Sequence, residues 1–86
     1  ASHLEQNVPN PFLEKTVIQF HVSPSVKQAE IRITSLNGTL VKSIAIALPD
    51  QNQITIYGGS LSAGNYLYSL ITDGKVVDSK QMTLTR

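Results

Sequence analysis

Apolar and polar residues alternate with a period of two along several short runs of this chain, which strongly constrains its fold. In residues 14–22, for example, Ile18, Phe20 and Val22 fall on one face and polar side chains lie between them. Successive side chains of a β-strand point to opposite sides of the sheet, so this pattern predicts a strand with one buried face. No run has apolar residues at helical spacing over three turns, and we predict no helix longer than one turn.

Five further runs have strand character, and turn residues separate them. The predicted strands are residues 14–22, 29–34, 40–48, 53–57, 66–72 and 75–85. Asn37-Gly38 and Asp73-Gly74 predict tight hairpins, because both positions of a type I′ turn take positive φ. Pro49-Asp50 marks another turn. The chain is therefore predicted to be built from short strands joined by short connections.

Two of these strands contain places where the alternation breaks. Val41 follows the apolar residue Leu40 directly, which breaks the alternation of apolar and polar residues and predicts a β-bulge there. Val76 and Val77 break the parity in the same way near the start of the last predicted strand.

Strand number and connection length together predict the fold class. With about seven short strands and no linker long enough for a helical crossover, only antiparallel pairing fits. We predict an all-β, immunoglobulin-like antiparallel sandwich that forms one domain over residues 1–86. The spacing of Leu61, Gly64 and Tyr66 predicts a tyrosine corner, in which the phenol hydroxyl reaches a nearby main-chain group. Residues 1–3 are interpreted as an expression remnant or the end of a linker, and His3 is expected to lie at a frayed terminus.

The residue types give little basis for catalysis or cofactor binding. There is no cysteine, and neither His3 nor His21 has a partner at metal-ligand spacing. The net charge of +1 lacks the basic excess of a nucleic-acid-binding protein, so no nucleic-acid partner is expected. We predict a non-catalytic domain with no cofactor and no metal.

Residues 9–12 combine strong backbone constraint with little strand character. Pro9 and Pro11 fix φ and favour extended conformations at the residues that precede them. We expect this segment to cross from one sheet to the other, or to follow an edge, while Phe12 fills the end of the sandwich. It is interpreted either as a rigid structural lead-in or as a preformed epitope that loses little entropy on binding.

Five ordered blocks of the sequence resemble a known family. They are residues 4–12 (L-x-Q-N-x-P-N-P-F), 36–38 (L-N-G), 61–70 (L-x-x-G-x-Y-L-Y-S-L), 73–75 (D-G-K) and 77–86. In this order they resemble the type A carboxy-terminal sorting domains of the Bacteroidetes type IX (Por) secretion system. The sequence departs from the family at Arg86, where a lysine is frequent.

The resemblance implies a seven-stranded sandwich and a sorting function. Such a domain directs a covalently linked amino-terminal cargo protein across the outer membrane. The implied partners are the outer-membrane translocon, a shuttle protein and a sortase, which usually removes the domain and attaches the cargo to the surface. The implied location is the periplasm in transit and then the cell surface or the extracellular space.

The last predicted strand is the best candidate for recognition. Three cations, Lys75, Lys80 and Arg86, outnumber one carboxylate, Asp78, and the backbone is expected at a sheet edge. A partner could add a strand to that edge or capture the terminal carboxylate, and self-association through an edge strand stays open. Alternatively, Met82 and Leu84 are simply core. The candidate recognition residues are Pro9, Asn10, Pro11, Phe12, Gly64, Tyr66, Lys75, Lys80, Met82, Leu84 and Arg86.

Two other functions compete with sorting. The first is an immunoglobulin- or fibronectin-like accessory or carbohydrate-binding module of an extracellular enzyme. Such a module would use exposed aromatic rings, for which Tyr57, Tyr68 and Phe12 are the candidates. The second is a passive spacer, which would need neither residues 9–12 nor a cationic last strand.

Overall fold

Seven strands and one turn of 3₁₀ helix form the computed structural model, which describes residues 2–85. The strands are β1 (His3–Leu4), β2 (Lys15–His21), β3 (Ala29–Ser35), β4 (Leu40–Ala45), β5 (Gln53–Tyr57), β6 (Gly64–Thr72) and β7 (Lys75–Leu84). The helical turn, Gly58–Ser60, follows β5. All six predicted strands are present, with bounds that differ from the prediction by at most three residues.

The strands pair antiparallel in two sheets that pack face to face. The smaller sheet has the order β1-β2-β5 and the larger has the order β4-β3-β6-β7. Consecutive strands therefore change sheets three times, between β2 and β3, between β4 and β5, and between β5 and β6. This arrangement confirms the predicted all-β, immunoglobulin-like sandwich.

Strand β1 corrects the expectation of a frayed amino-terminal segment. His3 pairs with His21 of β2, and the Ser23 N–H donates to the Ser2 hydroxyl at 2.8 Å. Two residues are too few to show a periodicity, so only tertiary contacts reveal this strand.

The side chains that alternate inward form the core between the two sheets. Ile18 and Phe20 enter it from the smaller sheet, and Ile31 and Ile33 enter it from the larger. The full cluster is Leu4, Phe12, Ile18, Phe20, Ile31, Ile33, Ile46, Ile54, Ile56, Leu61, Tyr66, Tyr68, Leu70, Met82 and Leu84. Burial of these apolar side chains is the main driving force for folding.

The two predicted hairpin turns differ from each other. Asp73 and Gly74 both have positive φ, 48° and 82°, as a type I′ turn requires. At the other hairpin only Gly38 does, with φ of 90°, so the type I′ prediction is wrong there. The Gly38 N–H donates to the Ser35 carbonyl and the Ser35 N–H to the Thr39 carbonyl, which makes a three-residue loop. The Asn37 side chain accepts the Thr39 N–H at 3.2 Å and so stabilises this alternative turn.

The larger sheet contains two bulges, and the one predicted beside Leu40 is confirmed. Ile33 pairs with Lys42 and Thr34 with Leu40, so Val41 is left over as a bulge. Leu70 pairs with Asp78 and Ile71 with Val76, which leaves Val77 out in the same way.

The predicted tyrosine corner is also present. The Tyr66 hydroxyl donates to the Ser62 carbonyl, and the ring is buried. Gly64, which begins β6, has φ of 146°, a conformation that side chains disfavour.

Gly58 packs too tightly against the rest of the fold to carry a side chain. A Cβ atom there would lie 2.6 Å from the Leu13 carbonyl oxygen and 2.9 Å from Leu84 Cδ1. Its neighbour Gly59 has nothing within 4 Å of the position that a Cβ atom would take.

The Gly58→Ala variant should therefore lose about 1–3 kcal/mol of stability through overpacking. Chemical denaturation should show a much smaller change for Gly59→Ala, and equal losses for the two variants would contradict the assigned close approach.

Candidate functional site at the last strand

Strand β7 lies at the edge of the larger sheet, as the sequence predicted, but part of its outer edge is covered. Strand β6 pairs with it on one side. On the other side lie residues 4–12, which we call the strap. The strap runs in the same direction as β7, and Phe12 forms a parallel bridge with Leu84.

Main-chain hydrogen bonds join the end of the strap to the end of β7. The Phe12 N–H donates to the Thr83 carbonyl at 2.9 Å, and the Thr85 N–H donates to the Phe12 carbonyl at 2.8 Å. These bonds follow the pattern of a short parallel ladder.

Side chains extend this contact towards the start of the strap. The Asn10 side-chain oxygen accepts the Thr83 N–H at 3.0 Å, and Gln6 Nε2 donates to the Gln81 carbonyl at 2.7 Å. The Leu4 N–H donates to an Asp78 carboxylate oxygen at 2.8 Å. Both polar main-chain groups of Thr83 on the outer edge are therefore satisfied within the domain.

A buried polar network holds the strap from beneath. The Tyr68 hydroxyl accepts the Asn7 N–H at 2.8 Å and donates to the Glu5 carbonyl at 2.9 Å. The Asn7 side-chain amide donates to the Thr16 hydroxyl at 3.0 Å and to the Pro9 carbonyl at 3.1 Å. Asn7, Thr16 and Tyr68 are each at most 1% exposed. Such groups need partners when buried, so the network specifies where the strap lies.

Sequence reasoning did not find this network, although two signals were available. Thr16 shares the inward parity of Ile18, which places a hydroxyl among core side chains. Asn7 lies next to Gln6 in the opening block of the family pattern, but nothing in the pattern shows which atoms they bond.

The strap also confirms the predicted crossing between sheets. Val8 exchanges both main-chain hydrogen bonds with Val17 of the smaller sheet, each at 2.9 Å. Four residues later, Phe12 is bridged to Leu84 of the larger sheet, with its ring buried at the end of the sandwich. The constrained residues between them make this change of sheet.

The candidate recognition residues divide by exposure. Phe12, Tyr66, Met82 and Leu84 are buried and belong to the core, so they support the surface from within. The remaining described candidates are Pro9, Asn10, Pro11, Gly64 and Lys75, which are exposed, and Lys80, which is partly buried. Lys75 begins β7 and lies away from the strap's contact with Thr83. Arg86 lies outside the described residues.

The aromatic and histidine candidates occupy different environments in the fold. Tyr68 and Phe12 are wrong as platform residues because their rings are in the core, and Tyr57 alone of the three is exposed. His3 lies beside His21, with ring centroids 5.8 Å apart, and contacts Glu5 at 2.8 Å. Within residues 2–85 no three potential metal ligands come together.

No described helix has the length and apolar character to cross a membrane.

Comparison with protein families decides the identity of this sandwich. The model of the secretion system C-terminal sorting domain matches residues 8–84. The chain belongs to this family. The sorting domain is a carboxy-terminal signal for type IX secretion, as the ordered sequence blocks implied.

Other comparisons agree on the fold of the sorting domain. The crystal structure of CopC from Methylosinus trichosporium OB3b is similar, with a TM-score of 0.56 and 22% sequence identity. The similarity covers 99% of this chain and 92% of that one. At this identity it supports only a shared β-sandwich. No curated protein matches the sequence.

The Tyr68 hydroxyl gives a test of the network beneath the strap. Tyr68→Phe keeps the ring and removes both hydrogen bonds, so it should lower the free energy of unfolding by about 1–3 kcal/mol. Tyr57→Phe, at an exposed position, is the matched control and should change it little.

The same residue predicts how stability depends on pH. Burial raises the pKa of the Tyr68 phenol above 10.0, although the hydrogen bond from Asn7 acts in the opposite direction. A raised pKa means that the folded state favours the neutral phenol, so this contribution is complete below pH 10 and is lost as the pH rises through the folded-state pKa. Denaturation at a series of alkaline pH values should show a shallower fall for Tyr68→Phe than for the parent. Identical slopes would contradict this assignment.

Proposed function

We propose that this sorting domain delivers a cargo protein, fused to its amino-terminal side, through the periplasm to the type IX translocon in the outer membrane. A shuttle protein then receives the domain, and a sortase removes it at the cell surface, where the cargo is attached or released. The family match supports the sorting function. The named partners and the periplasmic step extend it.

We further propose that the export machinery reads a composite surface. This surface combines the exposed strap residues Pro9, Asn10 and Pro11 with the start of β6 at Gly64 and the outer face of β7 near Thr83. The observation that supports it is the pair of bonds by which Asn10 and Phe12 occupy the main chain of Thr83. A surface that is already ordered loses little conformational entropy on binding.

The strap changes how the earlier recognition hypotheses apply. Addition of a strand at residues 83–85 would require a partner to displace the strap, because the Thr83 and Thr85 groups are occupied. Capture of the terminal carboxylate stays a proposal. Self-association stays a proposal for β4, the opposite edge of the larger sheet, where the Val41 bulge and Lys42 disfavour a long continuous pairing.

A reporter fusion tests the proposed function. Residues 1–86 are fused behind an exported fluorescent protein, and surface fluorescence is compared between type IX-competent cells with and without the translocon. The fusion should reach the surface only when the translocon is present. Equal delivery in both strains would contradict the proposal, and a passive spacer would give no delivery in either.

Two variants of the same fusion test the composite surface. Asn65 is exposed and its side chain accepts a hydrogen bond from the Thr83 hydroxyl, so Asn65→Arg adds bulk and charge next to Thr83. Ser43→Arg makes the same change on β4, at the other edge of the sheet. Asn65→Arg should reduce surface delivery several-fold at an unchanged melting temperature, whereas Ser43→Arg should not. Equal delivery by the two folded variants would contradict the proposed surface.

A further inference from the structure

The start of the strap and the end of β7 lie at opposite ends of the contact between these two segments. Leu4, at the start of the strap, bonds to Asp78 in the first half of β7. Phe12, at its end, bonds to Thr83 and Thr85. Because the two segments run in parallel, the chain enters the strap at one end of this contact and leaves β7 at the other. The domain that contains this contact measures 39 × 23 × 18 Å along its principal axes.

A pull between these two ends would slide the strap along β7. Hydrogen bonds between neighbouring strands join them sideways, with a slant in a parallel pair. Sliding the strap along β7 therefore loads several bonds at once, whereas peeling loads them one after another. Residues Gln6, Asn10 and Phe12 supply bonds to β7 at successive positions along the strap. Together with the Leu4 bond, they would have to fail in one event.

The strap is also held on its other sides. Val8 exchanges two main-chain bonds with Val17, and Asn7 is fixed by the hydroxyls of Tyr68 and Thr16. The Phe12 ring lies in the core with 2% of its surface exposed. Sliding would therefore disrupt contacts with both sheets as well as those with β7.

We propose that the strap and β7 form a shear clamp, which keeps the domain folded against a pull between its amino-terminal and carboxyl ends. The clamp is a mechanical property of the fold and goes beyond the sorting function. If the domain does connect a cargo to a translocon, the clamp keeps the composite surface intact while the connection is under load.

Single-molecule force spectroscopy tests the clamp by changing the direction of pulling. The described residues contain no cysteine, and none occurs in the sequence, so handles can be attached to cysteines introduced at chosen positions. One preparation carries them before residue 1 and after residue 86, and the other before residue 1 and at Lys75→Cys. The first geometry shears the clamp and the second peels the strap. The first should unfold at clearly higher force at the same pulling speed.

Two double variants separate the clamp from general stability. Gln6→Ala with Asn10→Ala removes two strap side chains that bond to β7, and should speed rupture in the shearing geometry by about tenfold at a fixed force. Ser43→Ala with Gln51→Ala removes side-chain bonds far from the strap and should leave that rate within about twofold. Equal forces in the two geometries would overturn the proposal. Equal rupture rates for the parent and the strap variant would overturn it as well, whatever the fusion reporter shows.

Discussion

The bonds between Phe12 and the end of β7 determine what this domain can present to a partner. An edge strand normally exposes a row of unpaired main-chain groups that any extended segment can join. Here the domain occupies the groups of Thr83 and Thr85 with its own strap. At Thr83, β7 is therefore hydrogen-bonded on its outer edge as an internal strand would be, although it lies at the edge of its sheet.

This arrangement gives a physical role to residue types that look like surface features in the sequence. The Asn10 side chain takes the place of a main-chain acceptor for the Thr83 N–H. In the core, the Tyr68 hydroxyl accepts the Asn7 main-chain N–H and the Thr16 hydroxyl accepts the Asn7 side-chain amide. A buried polar network of this kind favours one register, because a shifted strap would leave these groups without partners. The proposed recognition surface is ordered for the same reason that the strap is.

The fold was largely predictable because its information is local. Alternation identified the inward residues of β2, and the break in alternation at Val41 predicted the bulge there. The alternation also breaks at Val76 and Val77, where the second bulge lies. Local signals also identified Gly64 and Tyr66 as a tyrosine corner. Asn37-Gly38 was assigned the wrong turn type, because a side-chain hydrogen bond to Thr39 favours a longer loop. Strand β1 depends on pairing with residues 16–18 positions away. The bond between Asn7 and Tyr68 and the bond between Asn10 and Thr83 join residues more than sixty positions apart, which no local pattern contains.

The central claim is that the strap stays on the edge of β7 in the folded domain, and amide hydrogen exchange tests it residue by residue. The N–H groups of Thr83 and Thr85 should exchange as slowly as those in the middle of the sheet, because Asn10 and Phe12 accept them. The Ser43 N–H, which faces outward on the open edge of β4, supplies the comparison for an unprotected edge. Exchange at Thr83 and Thr85 as fast as at Ser43 would contradict the account.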